Sequence, residues 1–255
     1  MAIHPAAAQG YSTHVETFAK GRPDYPAELT DWLKHELRLG PGKIALDLGS
    51  GTGKFLPPLE ATGAQVLAVE PVDAMRAQLI AHNPGVEVMA GSAEHIPLAD
   101  RSVDVVTCAQ SFHWFANPRA LAEIHRVLKR EGSLGLIWNM RDESVQWVAA
   151  LSAMIEPYAG DTPRYHKQDW RLLFPASGFS PLVENRFAHQ HTGSPERVIV
   201  ARVLSTSFVA TLPLDRQDQI AAQIRTLIAT TPELAGKSEV SFPYRTVAFS
   251  CHRLI

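Results

Sequence analysis

The chain has 255 residues, 45% of them hydrophobic and 20% charged, with 24 basic against 26 acidic side chains. This composition excludes collagen-like, disordered and disulfide-stapled classes, and the near-neutral balance without a run of like charges leaves no electrostatic footprint for nucleic acid or a membrane surface. No apolar stretch approaches the ~20 residues that span a bilayer, residues 1–10 lack the pattern of an export leader, and Cys108 and Cys251 are too few for a disulfide framework or a metal cage, so the expectation is a cytoplasmic protein without a metal.

In chain order, Pro26 opens a segment with apolar residues at Leu29, Trp32, Leu33 and Leu37, the stripe of a helix, and Gly40-Pro41-Gly42 stops it. Residues 44–48 are a short apolar run entering a glycine cluster, as in a strand buried on both faces. Strands are predicted at 66–69, 86–89, 103–108 and 134–138, with helices at 73–81 and 118–130 between them. Strand and helix alternating at this spacing make a doubly wound, mostly parallel α/β sheet.

Beyond Asn139 the alternation stops. Residues 142–179 mix aromatics, prolines and charges; 182–187 read as a sixth strand, 195–206 and 214–230 as helices, and 240–251 as a returning strand. The expected organisation is a single domain: a cap segment 1–40, a nucleoside-binding core 41–140, a lid 141–238 containing one core strand, and a C-terminal strand 239–255.

The chemistry concentrates at 44–55, where the apolar strand runs into Gly49, Gly51 and Gly53. Glycines there let a ligand approach the backbone and aim N–H groups at it. Strand two ends in Glu70-Pro71, an acid placed to accept hydrogen bonds from ribose hydroxyls. A dinucleotide site wants G-x-G-x-x-G, whereas this chain has G-x-G-x-G with Asp47 two residues ahead. That carboxylate would repel a pyrophosphate and suits an ammonium group. A ligand with ribose, an amino-acid head and no phosphate is S-adenosylmethionine.

Residues 46–53, Leu-Asp-Leu-Gly-Ser-Gly-Thr-Gly, resemble the first motif of the class I S-adenosylmethionine-dependent methyltransferases, and Glu70 matches that family's ribose-binding acid. Gly91-Ser92-Ala93-Glu94 resembles the segment bordering the adenine, with Ser92 where many relatives carry aspartate; 104–115 and 126–132 resemble the strand-four and strand-five motifs. Arg22-Pro23-Asp24-Tyr25-Pro26 and Phe112-His113-Trp114-Phe115 look like the small-molecule branch of trans-aconitate and ubiquinone-biosynthesis methyltransferases. The resemblance implies a Rossmann-like, seven-stranded sheet with a C-terminal helical lid, and methylation of a small organic molecule at oxygen or carbon, such as a carboxylate or a phenol.

It also implies donor contacts from Ser50, Met75, Gln110 and Arg22, and a substrate channel lined by Tyr11, Tyr25, His113 and Trp114. His113, after strand four, is the candidate general base. His125 reads as structural, His189 and His191 as a pair short of a metal site, and Cys108 as a buried hydrophobe. Two alternatives stay open: a nicotinamide-dependent oxidoreductase, and a donor-binding protein without turnover.

Overall fold

A computed structural model describes residues 21–254. Seven strands form one sheet in the order β3-β2-β1-β4-β5-β7-β6. They are β1 (Ile44–Leu48), β2 (Gln65–Val69), β3 (Glu87–Met89), β4 (Val103–Ala109), β5 (Leu128–Arg141), β6 (Val183–Gly193) and β7 (Val240–His252). All neighbours from β3 to β5 pair in parallel, and β7 alone runs antiparallel to both its partners. The parallel strands therefore all end at one carboxyl edge.

Helices cover both faces because the central strands are apolar at successive residues. Against one face lie α1 (Glu28–His35), α2 (Leu56–Glu60) and α3 (Asp73–His82), whose Leu29, Leu33, Leu59 and Leu79 pack on Ala45, Ala68, Val105 and Ile137. Against the other lies α4 (Pro118–Val127), with Leu121, Ile124 and Val127 on Leu46, Val106 and Leu136. Asn117 caps α4 by accepting from the Arg119 and Ala120 N–H groups, each at 3.0 Å. Acidic Glu28 and Asp31 in the first turn of α1, and Lys34 and His35 in its last, complement the helix dipole.

Beyond the carboxyl edge a third cluster forms between α5 (Gln146–Ile155), a π-helical segment Glu196–Ala201 that passes into a single turn Arg202–Leu204, and α6 (Leu214–Thr230). These elements bury Val148, Leu151, Ile199 and Ile224 against Phe242 and Tyr244 at the start of β7.

Three boundaries differ from expectation. Helix α4 stops at Val127 instead of Arg130, because Leu128 pairs with Val103 and opens β5. The polar residues after it form a bulge, with Glu131 at φ +60°, before the ladder resumes at Ser133. Strand β6 extends past Phe187 to Gly193, since His189, His191 and Thr192 keep pairing along β7. The stretch expected as a helix at 195–206 starts with π winding.

Candidate active site

The turn after β1 is built by its neighbours. Gly49 sits at φ +71°, and a Cβ there would lie 2.8 Å from Ser111 Cβ, so glycine is demanded by both backbone and space. The Gly49 N–H donates to Val69 O at 2.8 Å, tying the turn to the end of β2. One residue further, Glu70 is buried and accepts from the Gly51 N–H through Oε2 and from the Val72 N–H through Oε1, both at 2.8 Å. Burial pushes its carboxyl above the usual range, while these two backbone donors pull it back. A carboxylate has about four lone-pair sites, so acceptor capacity is left over for a ligand.

A cavity opens over this turn, lined by Gly49, Ser50, Gly51, Glu70, Pro71 and Met75 on one side. Ser92, Ala93, Glu94 and Gln110 close it on the other, and Arg22, Tyr25 and Trp114 lie over it. Glu94 Oε1 is fixed by the Asn117 amide at 2.9 Å. Met75 is buried, with its sulfur 3.7 Å from where a Gly51 Cβ would be. Burial, followed by the nearby Asp47 charge, raises the Tyr25 phenol well above its usual value. Tyr11 lies outside the described residues.

Two expected cofactor-binding residues do not line the cavity. Gly53 faces Asn83, Leu56 and Leu79 and serves packing. Asp47 is 1% exposed and stands behind the turn. Its Oδ1 accepts from Thr107 Oγ1 at 3.3 Å, while Oδ2 has no partner among the described residues. Burial lifts this carboxyl to about 7, with the Ser50 and Thr107 hydrogen bonds acting the other way. An orphaned buried carboxylate oxygen is costly unless a donor arrives.

A second cavity adjoins the first, and Arg22, Gln110, Trp114 and Arg202 line both. Gln110 adopts φ +56° at the end of β4, a strained conformation held by its N–H to Ile137 O at 2.8 Å and its amide to Asn139 O at 3.0 Å. The second cavity continues over His113, Trp138, Tyr165 and Phe208.

His113 does not have the nitrogen a general base requires. Its Nδ1 accepts the Trp138 indole N–H at 3.1 Å, and because an indole can only donate, the neutral ring carries its proton on Nε2. Burial, with the Arg22 charge, lowers its pKa to about 3. The ring can donate a hydrogen bond and orient a ligand, but it takes up no proton at neutral pH. His125 packs edge-on against Phe179, away from both cavities. Among the described residues no cluster of three His, Cys, Asp or Glu could hold a metal, and no helix is long and apolar enough to cross a membrane.

Neither Arg141 nor Arg202 was evident as a site residue in the sequence, and both line the second cavity. The available signal was position: Arg141 ends a central strand at the carboxyl edge, where open α/β sheets bind ligands. Arg202 had no such signal.

Comparison with known proteins matches residues 46–136 to a family model described as a methyltransferase domain. An uncharacterized methyltransferase-like protein of Schizosaccharomyces pombe is 37% identical over 244 residues, covering 95% of each chain. An uncharacterized methyltransferase of Mycobacterium tuberculosis is 36% identical over 237 residues, 93% of each. Among solved structures, a phosphoethanolamine N-methyltransferase of Haemonchus contortus, in complex with phosphomonomethylethanolamine and S-adenosylhomocysteine, shares the fold at a TM-score of 0.60 and 14% identity, covering 100% of this chain and 61% of that one. A glycine turn with a buried acid after the next strand, a seven-stranded sheet with one reversed strand, and relatives that match end to end agree: the chain belongs to the S-adenosylmethionine-dependent methyltransferases of class I fold.

Proposed function

We propose that the protein binds S-adenosylmethionine in the first cavity and transfers its methyl group, at oxygen or carbon, to a small organic molecule in the second. The observation that carries this reading is the shared wall of Arg22, Gln110, Trp114 and Arg202, which brings a glycine-lined cradle and an aromatic chamber together at one mouth.

The residues fit the donor. Glycine turn and Glu70 suit a ribose, and the orphaned Asp47 oxygen behind them suits an ammonium group. Arg22 over the cavity suits a carboxylate, while Met75, Ser92, Ala93 and Glu94 line the part of the cavity that would take the adenine. Bound S-adenosylmethionine supplies a methyl group already activated on a sulfonium. The chain then has to align the acceptor, exclude water and, for some acceptors only, hold a proton. Tyr25 and Trp114 wall the passage, and His113 orients the acceptor by donating from Nε2. Segment 1–40, of which 1–20 lie outside the described residues, would act as the cap, 41–140 as the donor-binding core and 141–238 as the lid that selects the acceptor, with 239–255 carrying the last strand.

A cytoplasmic setting is supported by Cys108 and Cys251, two buried free thiols whose pKa values burial raises. The absence of a basic surplus supports a small-molecule partner over nucleic acid.

Calorimetric titration with S-adenosylhomocysteine, NAD and NADP tests the donor. Saturable binding of S-adenosylhomocysteine alone is expected; binding of a dinucleotide instead would overturn the reading in favour of an oxidoreductase. Mass-spectrometric screening of small organic acceptors with S-adenosylmethionine then separates an enzyme from a donor-binding protein without turnover.

A further inference from the structure

Among the described residues, the second cavity is lined by Arg22, Arg141, Arg164 and Arg202 against two carboxylates, Glu143 and Glu156. Of its arginines, Arg164 is clasped by Glu156 through two hydrogen bonds of 2.8 Å. Arg141 and Arg202 have no carboxylate within ion-pair distance among the described residues. Both rest on one hydroxyl: Arg141 Nη2 donates to Thr206 Oγ1 at 3.2 Å and Arg202 Nη1 to the same oxygen at 3.4 Å. Arg202 is 8% exposed, and its Nε is spent on the Tyr244 hydroxyl at 3.1 Å. Burial and the facing Arg202 charge lower the Arg141 pKa to about 10. Two like charges brought together out of water cost free energy unless an anion joins them.

The remaining lining narrows the anion. Ala149, Ala153, Ile155, Phe208 and Trp138 give the chamber an apolar wall, suited to a carbon skeleton rather than to a free inorganic ion. Glu143 is exposed, Glu156 is occupied, and His113 offers no basic nitrogen, so the chamber favours an acceptor atom that needs no deprotonation. A carboxylate oxygen meets that requirement. Arg202, which lines both cavities, puts the charged end at the mouth facing the donor.

Resting on the methyltransferase reading above, we propose that Arg141 and Arg202 form the acceptor's anion site, and that the acceptor is an organic acid with an apolar body whose carboxylate is itself methylated. A lone pair of one carboxylate oxygen forms the bond to the methyl carbon. The carbon–sulfur bond breaks with its electron pair returning to sulfur, giving a methyl ester and a neutral thioether, and no proton moves. Anion and sulfonium become two neutral products, so the arginines lose their hold on the ester once it forms.

The test uses the full chain saturated with S-adenosylhomocysteine, titrated calorimetrically with phenylacetate and octanoate and with their amides. Acids should bind and amides should not. Arg141→Gln should weaken acid binding about tenfold or more, the loss of a charge-assisted contact, with S-adenosylhomocysteine affinity unchanged. If that variant does not fold, Arg141→Lys keeps the charge and loses the planar fork, and should still weaken binding measurably. With S-adenosylmethionine, the product identified by mass and NMR should be the methyl ester. Amides binding as tightly as acids, no acid binding, acid binding indifferent to both substitutions, or a methyl group on carbon would each overturn the proposal. If S-adenosylhomocysteine itself does not bind, the underlying reading falls, which the titration shows before any acid is added.

Discussion

Trp138 in β5 donates its indole N–H to Nδ1 of His113 at 3.1 Å, and that hydrogen bond decides what the histidine can do. A ring held as an acceptor by an obligate donor, half-buried and under the field of Arg22, stays neutral down to about pH 3. Its folded pKa lies below the ordinary 6.5 of histidine. Between these values the unfolded chain binds more protons, so stability is intact above about pH 6.5 and declines as pH falls toward 3. His113→Asn keeps an acceptor for the indole and removes the titration. Its Tm should fall less steeply than the native Tm between those two pH values, while the pH profile of turnover from 6 to 9 stays unchanged.

In the proposed reading, the donor's ammonium group reaches Asp47 Oδ2 behind the turn, and binding is then linked to protons. With its pKa raised to about 7, the folded protein holds a proton there that the unfolded chain, near 3.8, has released. Stability from this group is therefore present at acid pH and is lost as pH rises from about 4 through 7. An ammonium group meeting Oδ2 would expel the proton. S-adenosylhomocysteine binding at pH 6 should release protons, seen as a buffer-dependent enthalpy that disappears by pH 8.5. Asp47→Asn should abolish the release, raise the Tm at pH 8, and weaken binding by about 1.5–3 kcal/mol.

In the proposed donor site Glu70 has two tasks, holding the ribose and shaping the turn. Glu70→Ala removes a ribose acceptor and the partners of the Gly51 and Val72 N–H groups. Donor affinity should drop by about 1.5–3 kcal/mol, measured by calorimetry on folded protein. Glu70→Gln, which retains one acceptor oxygen, should lose less, and equal affinity in all three proteins would remove Glu70 from the donor site.

Gly49→Ala should destabilise by at least about 1–2 kcal/mol from the left-handed backbone alone, with the Ser111 clash at 2.8 Å in addition. Adding Ser111→Gly relieves the clash and leaves the backbone cost. Because Ser111→Gly by itself forfeits the Oγ hydrogen bond to Leu48 O at 2.7 Å, the alanine should cost less Tm when added to Ser111→Gly than when added to the native chain; an equal cost in both would show that the backbone carries the whole penalty.

The half of the chain around the glycine turn was legible because local pattern and tertiary role coincide there. Residues 44–48 are apolar at successive positions because β1 is covered on both faces, and the glycines follow because the turn meets Ser111 and Glu70. Helix α6 at Leu214–Thr230 was read to the residue from its apolar stripe. Failures came where a distant partner decides. Leu128 looks helical until Val103 is set beside it. His113 looks basic until Trp138, 25 residues later on β5, takes its free nitrogen. Arg141 and Arg202 look like surface charges until Thr206 brings them onto one oxygen.

The single reversed strand has a consequence for how such a protein can change. Arg141, the last residue of β5, is paired with Tyr244 near the start of β7, so the long segment between them, which lays β6 along the sheet's outer edge, starts and ends at one place. A loop whose ends are already fixed side by side gains length cheaply, at about 0.6 kcal/mol per doubling. Insertions and deletions in that segment leave the register of β1, β2 and β4, and with it the glycine turn, untouched. If the proposed function holds, acceptor preference can therefore be redesigned by exchanging this segment while the glycine turn is left in place.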